Sequence, residues 1–557
     1  MSVPAVVIAA PASGSGKTTL ATGLIGALGR AGHRVAPFKV GPDYIDPGYH
    51  GLAAGRPGRN LDPVLVGEHR VVPLYLHGAR GCDLAVVEGV MGLFDGRIDE
   101  NQAGPVAEGS TAQVASLLGA PVVLVVDARG HSQSLAALLH GFATFDTSVR
   151  LGGVILNRVG SERHEQVLRA ACTRVGLPVL GSLPRMAELE VPSRHLGLIP
   201  AIEHGSAATI AVAAMTDLVA AHVDLAAIAG LARSTVDGPA WDPEAEVGAF
   251  ARERIALGAH GASVTAEHAA GATAVDSAPD GHGTPSGGMS FGIGPSGTRA
   301  GDSATANGSA SIGGPIVAVA TVDSIAAGGT SDLLGSISPP LGGPVIAMAG
   351  GPAFTFGYAE HRELLMAAGA RVVVFDPLRD ELPPDTAGLV LPGGFPEEHA
   401  AQLAANTRLL TAVRELASAG LPVHAECAGL LYLTRSLDGH AMAGVVDADA
   451  EFGPRLTLGY RDAVALADSP LWRTGERVRG HEFHRTRLVS AATAGSAWGW
   501  RGGLGERVAE GALVRNVHAS YLHTHPAGNP TATARFVAAA AEYARVGVVV
   551  RISGPVR

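Results

Sequence analysis

Lysine is almost missing from this chain: among 41 basic residues in 557, only Lys17 and Lys39 are lysines. Arginine stands everywhere else, as GC-rich coding would leave it, so the two lysines that remain mark places beside the first helix where a compact ammonium is required. Cysteine is scarce as well. Cys82, Cys172 and Cys427 are too few for a disulfide framework and show no Cys-x-x-Cys spacing for zinc. Charged residues make up 17% of the chain and the formal net charge is −10, which argues against generic nucleic-acid binding, since that needs a basic surface to displace counterions. An anionic substrate must therefore be held by local arginines. Although 47% of residues are apolar, no uninterrupted apolar run approaches the roughly 20 residues of a membrane span. The opening residues show no basic segment ahead of an apolar one, so no signal peptide and no membrane partner are expected, and the expected location is the cytoplasm.

What is present is a repeated α/β pattern. At this length two or more domains are the default. From 1 to 235, short β-branched runs ("PAVVIAA", "VAPFKV", "LAVVEG", "PVVLVVDA", "GGVILN") alternate with helical stretches, the pattern of a buried parallel sheet. Residues 236–342 become Gly/Ser/Ala-rich and aperiodic and read as a flexible linker or insertion, with one stray apolar patch at 315–327. A second α/β pattern runs from 343 to 557, through "GPVIAMAGG", "RVVVFDP", "GLVLPGG" and "PVHAEC".

"AAPASGSGKTTLATGLIGALGRAGH" reads as strand, glycine-rich loop and helix, with Pro11 where a P-loop carries its first glycine and Gly16, Lys17 and Thr18 matching the rest. Small residues there let successive backbone N–H groups converge on phosphate oxygens, Lys17 reaches the β/γ oxygens and Thr18 can ligate Mg²⁺. Gly14, Ser15, Gly16, Lys17, Thr18 and Thr19 are the expected nucleotide segment. Asp43, Glu88 and Asp95 sit at strand ends or in loops facing that mouth, where carboxylates hold and orient Mg²⁺ and reactants. Asn157, at a strand end, either reads adenine or caps the strand. Arg56 and Arg59 either grip substrate carboxylates or are solvated loop charges.

In the second half, "PVHAECAGLLYL" fits a strand, a small-residue turn carrying Cys427, and a helix, the elbow of a nucleophile. A thiol at a helix N-terminus is expected to have a lowered pKa. "NVHASYLHTHPAGNP" supplies His518, His523 and His525 as bases, and the carboxylate that would complete a triad after Pro526 is missing, since Ala527 and Gly528 follow. Gly393 and Gly394, with the amide of Ala428, are expected to form the oxyanion hole.

Taken together, "APASGSGKTT", "FKVGPDYIDPGYH", "RNLD" (59–62), "VEGVMGLFDG", "PSRHLGL" (192–198), "GPAFTFGY" (351–358), "PGGFPE" (392–397), "AECAGL" (425–430) and "GHEFH" (480–484) resemble the cobyrinic/hydrogenobyrinic acid a,c-diamide synthase family, glutamine-dependent amide ligases of cobalamin biosynthesis. The resemblance implies an α/β fold with two parts, a dethiobiotin-synthetase-like P-loop domain with a doubly wound parallel sheet and a class I glutamine amidotransferase-like domain. It implies ATP with Mg²⁺ on Thr18, Asp43 and Glu88, and the loops of Asp43, Tyr44, Ile45 and Asp95 facing the corrinoid. It makes His523 the partner of Cys427, with His525 as second choice. The implied partners are a corrinoid polycarboxylate, ATP and L-glutamine, and a homodimer is compatible with it. Two departures stand out: Ala428 where glycine is commoner, and the long 250–342 stretch. A cobyric acid synthase-type ligase and a P-loop switch ATPase are the alternatives. The switch type carries a lysine five residues before the P-loop lysine, where this chain has Ala12, and has no use for residues 343–557.

Overall fold

Ala5–Ala9 (β1) is five apolar residues in a row, each buried, because a central parallel strand is covered on both faces. The computed structural model describes residues 2–98, 104–185, 193–194, 197–198, 200–248, 342–489, 495–503 and 505–552. After β1 come the helix Lys17–Arg30 (α1), Val35–Val40 (β2), Asp46–Ala54 (α2), Arg59–Leu61 (β3), Leu84–Glu88 (β4), Val122–Asp127 (β5), Leu151–Val159 (β6), Val179–Pro184 (β7) and the helix Ser206–His222 (α3). The seven strands form one parallel sheet in the order β3-β2-β4-β1-β5-β6-β7. Strand order reverses beside β1, so the loops after β1, β2 and β4 open into one crevice at the strand C-termini, the place where such sheets bind ligands.

The second half is built on Val345–Ala349 (β8), Ala359–Ala367 (α4), Arg371–Phe375 (β9), Thr386–Leu391 (β10), Val423–Glu426 (β11) and Ala428–Leu433 (α5). Then follow Asp449–Ala465 (β12), Arg477–Val489 (β13), Trp498–Arg501 (β14), Arg507–Glu510 (β15), Ala512–Val514 (β16), Val517–Ser520 (β17) and His523–Thr524 (β18). One sheet runs β9-β8-β10-β11-β17-β16, parallel except for its last pair. A separate antiparallel sheet is formed around β12 and β13, whose far end pairs β13 with β18, placing His481 opposite His523.

Residues 1–253 and 333–557 form one compact unit. The proposed linker at 236–342, including the 315–327 patch, lies mostly outside the described residues. So does part of the 192–198 motif. No helix among the described residues is long and apolar enough to cross a membrane.

Candidate functional site

The chain leaves β1 through residues 11–16 and enters α1 at Lys17. Gly16 has φ of 94°, and a Cβ there would fall 2.4 Å from Asn157 Nδ2, so glycine alone fits both the backbone and the space. This turn aims the first amides of α1, and the positive end of its dipole, at the loop, as a phosphate site requires. Asn157 donates from Nδ2 to the carbonyl of Ser15 at 2.9 Å and so braces the loop from the end of β6. Lys17 Nζ donates to the Met91 carbonyl at 2.5 Å. Burial, helped by the charge of Lys39, brings its pKa down to about 8.

Behind the loop lies a buried charge cluster. Parallel pairing sets Lys39 beside Glu88, and Lys39 Nζ donates to Glu88 Oε1 at 2.9 Å and to Asp46 Oδ2 at 2.7 Å. Thr18 Oγ1 donates to the same two carboxylates, at 2.7 Å and 3.1 Å. His50 Nε2 lies 2.7 Å from Glu88 Oε2. Burial, with the nearby charge of Asp43, pushes Asp46 up to about 6. Glu88, which burial alone would push up, is held down to about 2 by Lys39 and His50. Asp43 stands in the flanking loop, where its Oδ1 accepts from the amides of Ile45 and Asp46 at 2.8 and 2.9 Å and starts α2. Asp95 Oδ2 accepts from the Gly92 amide at 2.9 Å and shapes the loop after β4. Of the three acids read from the sequence, Glu88 is in the cluster. Asp46, three residues after Asp43 and unmarked by any motif rule, takes the place beside Thr18. A hydroxyl and two carboxylates are the hard oxygen donors that Mg²⁺ prefers, so these residues fit that ion.

Cys427 follows β11 with φ of 48° and ψ of −98°, a strained conformation for a residue with a side chain. Its amide donates to the Ser520 carbonyl at 2.7 Å, which pins the turn. The backbone amides of Ala428 and Gly394 lie beside its sulfur and favour the thiolate. The Gly393 carbonyl, meanwhile, accepts from the Phe356 amide at 3.0 Å. A Cβ on Gly393 would fall 2.3 Å from the ring edge of His523, so the Gly-Gly turn also makes room for that ring. Burial, with the carboxylate of Glu397 nearby, pushes the Cys427 thiol well above its ordinary value. This corrects the expectation of a lowered thiol pKa: α5 is short, and desolvation outweighs its two amides.

His523 is fully buried, and its Nδ1 lies 3.6 Å from Glu426 Oε2. Glu426 is itself fastened at Oε1 by the Thr524 amide and hydroxyl, at 3.1 and 2.9 Å. A carboxylate beside His523 thus comes from the residue just before the cysteine rather than from one after Pro526, and it is shared with His424, whose Nε2 lies 3.2 Å from Glu426 Oε1. His525 is engaged differently: its Nδ1 accepts from the Ala527 amide at 3.2 Å, and its ring packs on Tyr358 at 4.0 Å. His518 lies in the sheet beside His424, edge-on to Trp498.

The loop between β2 and α2 touches both sites. Tyr44 stacks on Phe356 at 4.9 Å, lies 5.0 Å from the His523 ring, and its hydroxyl accepts from that of Tyr358 at 3.0 Å. The "RNLD" motif fastens this loop to the second half. Arg59 donates to Glu360 at 2.6 Å and forks onto Glu363, both on α4. Asn60 Nδ2 donates to the carbonyls of Gly41 and Asp43 at 2.8 and 2.6 Å. Asp62 caps the next helix and accepts from Tyr460 at 3.0 Å. Arg59 is thus neither a substrate clamp nor a solvated charge. Arg56 is turned onto Cys82 and the Gly78 carbonyl.

A cavity of 1640 Å³ opens against the same loop. Asp43, Tyr44, Ile45 and Met91 line it from the first half, and Tyr460, Phe483 and Trp500 from the second. Its volume exceeds the roughly 300–1,000 Å³ of ordinary small-molecule pockets.

Residues 6–199 match the CobQ/CobB/MinD/ParA nucleotide binding domain, and residues 345–531 match the CobB/CobQ-like glutamine amidotransferase domain. The hydrogenobyrinate a,c-diamide synthase of Mycobacterium tuberculosis is 54% identical over 97% of this chain and 99% of its own. That of Streptomyces coelicolor is 53% identical over 96% of this chain and 97% of its own. The cobyrinate a,c-diamide synthase of Gloeobacter violaceus is 37% identical over 96% of each.

Proposed function

The chain belongs to the hydrogenobyrinate and cobyrinate a,c-diamide synthase family, and we propose that it uses ATP and L-glutamine to convert the a and c side-chain carboxylates of a corrinoid to amides. Hydrogenobyrinate is the preferred macrocycle in this reading, because the relatives above 50% identity carry that name. The observation that carries the proposal is the six-residue stretch 41–46. It gives Asp46 to the P-loop cluster, Tyr44 to the glutaminase histidine and Asp43, Tyr44 and Ile45 to the cavity wall. An enzyme that activates a carboxylate at one place and makes ammonia at another needs such a junction.

In the glutaminase half, His523 takes the proton of Cys427 as its sulfur attacks the carboxamide of glutamine. The amides of Gly394 and Ala428 face the developing oxyanion, with Gly393 shaping the turn. Ammonia leaves, and water hydrolyses the glutamyl thioester. In the synthetase half, the amides of residues 14–19 and the Lys17 ammonium hold the ATP phosphates while a corrinoid carboxylate attacks the γ-phosphorus, breaking its bond to the β,γ-bridging oxygen and releasing ADP to leave an acyl phosphate. Ammonia then displaces phosphate from the acyl phosphate. Thr18 and Glu88, with Asp46 and the neighbouring Asp43, would hold Mg²⁺, which neutralises phosphate charge when bound. Asn157, which braces the loop at the Ser15 carbonyl, would contact the nucleotide base in this reading. Asp95 shapes the mouth through which the corrinoid carboxylates enter. A cytoplasmic location and a homodimer complete the reading.

The test uses Cys427→Ala. Glutamine-supported diamide formation is expected to vanish while added ammonia still supports it; loss of both would remove Cys427 from the ammonia-forming role.

A further inference from the structure

The cavity wall contributed by the second half carries five arginines against four acids. Arg455, Arg477, Arg501 and Arg507 all line it. None of the four has a carboxylate partner among the described residues, in contrast to Arg97, which pairs with Asp462 and Glu108, and Arg461, which pairs with Glu482 at 2.6 Å. Arg501 and Arg507 stand directly opposite each other on β14 and β15. Like charges at such positions weaken a sheet, so the pairing calls for an anion between or above them. Of the five acids that also line the cavity, Glu506 stands next to Arg507 in the turn between β14 and β15, Asp43 caps the start of α2, and the other three are committed elsewhere. Asp462 meets Arg97 and Arg479, Glu482 meets Arg461, and Glu510 accepts from the Ser520 hydroxyl and the Tyr521 amide at 2.6 and 2.7 Å.

The same cavity gathers exposed apolar side chains. Met91, Ile98, Leu458 and Leu466 are four of the large hydrophobic residues left open to solvent, at 41, 96, 56 and 45% exposure, and all four line it. Apolar surface beside unpaired guanidinium groups matches a ligand with an apolar body and several carboxylates at its edge. A nucleotide or a glutamine molecule does not have that form.

Resting on the corrinoid reading above, we propose that Arg455, Arg477, Arg501 and Arg507 form a carboxylate-binding wall on the glutaminase half. This wall holds side chains of the macrocycle that are not being amidated, and so turns the reacting edge toward the P-loop. Substrate recognition is thereby shared between the halves: the first supplies ATP chemistry, and the second supplies the grip that orients the ring.

Equilibrium binding of hydrogenobyrinate without ATP or glutamine, followed by absorbance, tests the wall separately from turnover. The double variant Arg501→Gln/Arg507→Gln is compared with wild type and with Arg169→Gln, an exposed arginine on a helix distant in sequence from the cavity strands. The dissociation constant is expected to rise about tenfold or more in the double variant, as loss of charge-assisted hydrogen bonds implies, and to stay put in the control. Wild-type affinity is expected to fall with added salt, and less steeply in the double variant. The permethyl ester of the macrocycle, which has no carboxylates, is expected to bind both proteins alike. Equal affinity of wild type and double variant for the acid overturns the wall, and so does an equal loss for acid and ester. Failure of wild type to form diamide despite tight, arginine-dependent binding overturns the proposed function and leaves the wall standing.

Discussion

The ring of Tyr44 lies 5.0 Å, centroid to centroid, from the ring of His523. One belongs to the loop that lines the cavity, the other to the glutamine amidotransferase half near the Gly393–Gly394 turn, so the geometry of each depends on the other. Tyr44→Ala is expected to raise the number of glutamines hydrolysed per amide formed several-fold, because His523 loses its support and the two sites lose their shared wall. Tyr44→Phe keeps the stacking on Phe356 and loses only the Tyr358 hydrogen bond, so its ratio should stay near that of wild type. Glutamate and diamide measured in one reaction give the ratio, and a ratio unchanged by Tyr44→Ala would remove the link.

Glu426 Oε2 stands 3.6 Å from His523 Nδ1. Glu426→Gln keeps the shape and removes the charge that stabilises a protonated imidazole, and should lower glutamine-dependent kcat by about 10²-fold, the lower range of general acid–base contributions. The KM for glutamine should change little and ammonia-dependent synthesis should survive. A variant that loses ammonia-dependent activity as well would show that Glu426 serves the fold rather than the histidine.

The raised thiol pKa of Cys427 gives a pH prediction with a definite sign. In the free enzyme the protonated thiol is the stable form at neutral pH, so alkylation by iodoacetamide should be slow at pH 7 and rise steadily toward pH 9. Mass spectrometry of the peptide containing Cys427 follows it. A rate that is already at plateau below pH 7 would mean that the amides of Gly394 and Ala428 overcome burial after all.

Arg59 is buried against Glu360 and Glu363, with side-chain exposures of 11, 1 and 16%. Arg59→Ala strands Glu360 in the contact between the halves, while Glu363 keeps His77 at 3.1 Å, and is expected to destabilise it by about 3 kcal/mol. Urea unfolding at neutral pH reads the loss. A change under about 1 kcal/mol would mean that water reaches the pair.

The parts legible in the sequence are those that local backbone geometry demands. A P-loop needs its strand, small residues and helix in immediate succession, and an elbow needs strand, cysteine and helix, so Gly16, Lys17, Thr18 and Cys427 could be named without knowing what packs on them. The parts that escaped depend on chain segments far apart. "RNLD" was visible as a motif, yet the role of Arg59 lies with α4, about 300 residues away, and that of Asp62 lies 398 residues away at Tyr460. Asp46 escaped because two acids stand three positions apart, and only the start of α2 decides which one turns inward. The cysteine's acidity is not legible in the sequence, because a helix terminus can be seen there and burial cannot.

Conversion of a corrinoid to its diamide is tested most directly by one product analysis. Purified protein incubated with ATP, Mg²⁺, L-glutamine and hydrogenobyrinate should yield, by mass spectrometry, a macrocycle that has undergone two amidations, with ADP and glutamate formed alongside. A macrocycle recovered unchanged, with ATP or glutamine consumed independently of it, would contradict the account.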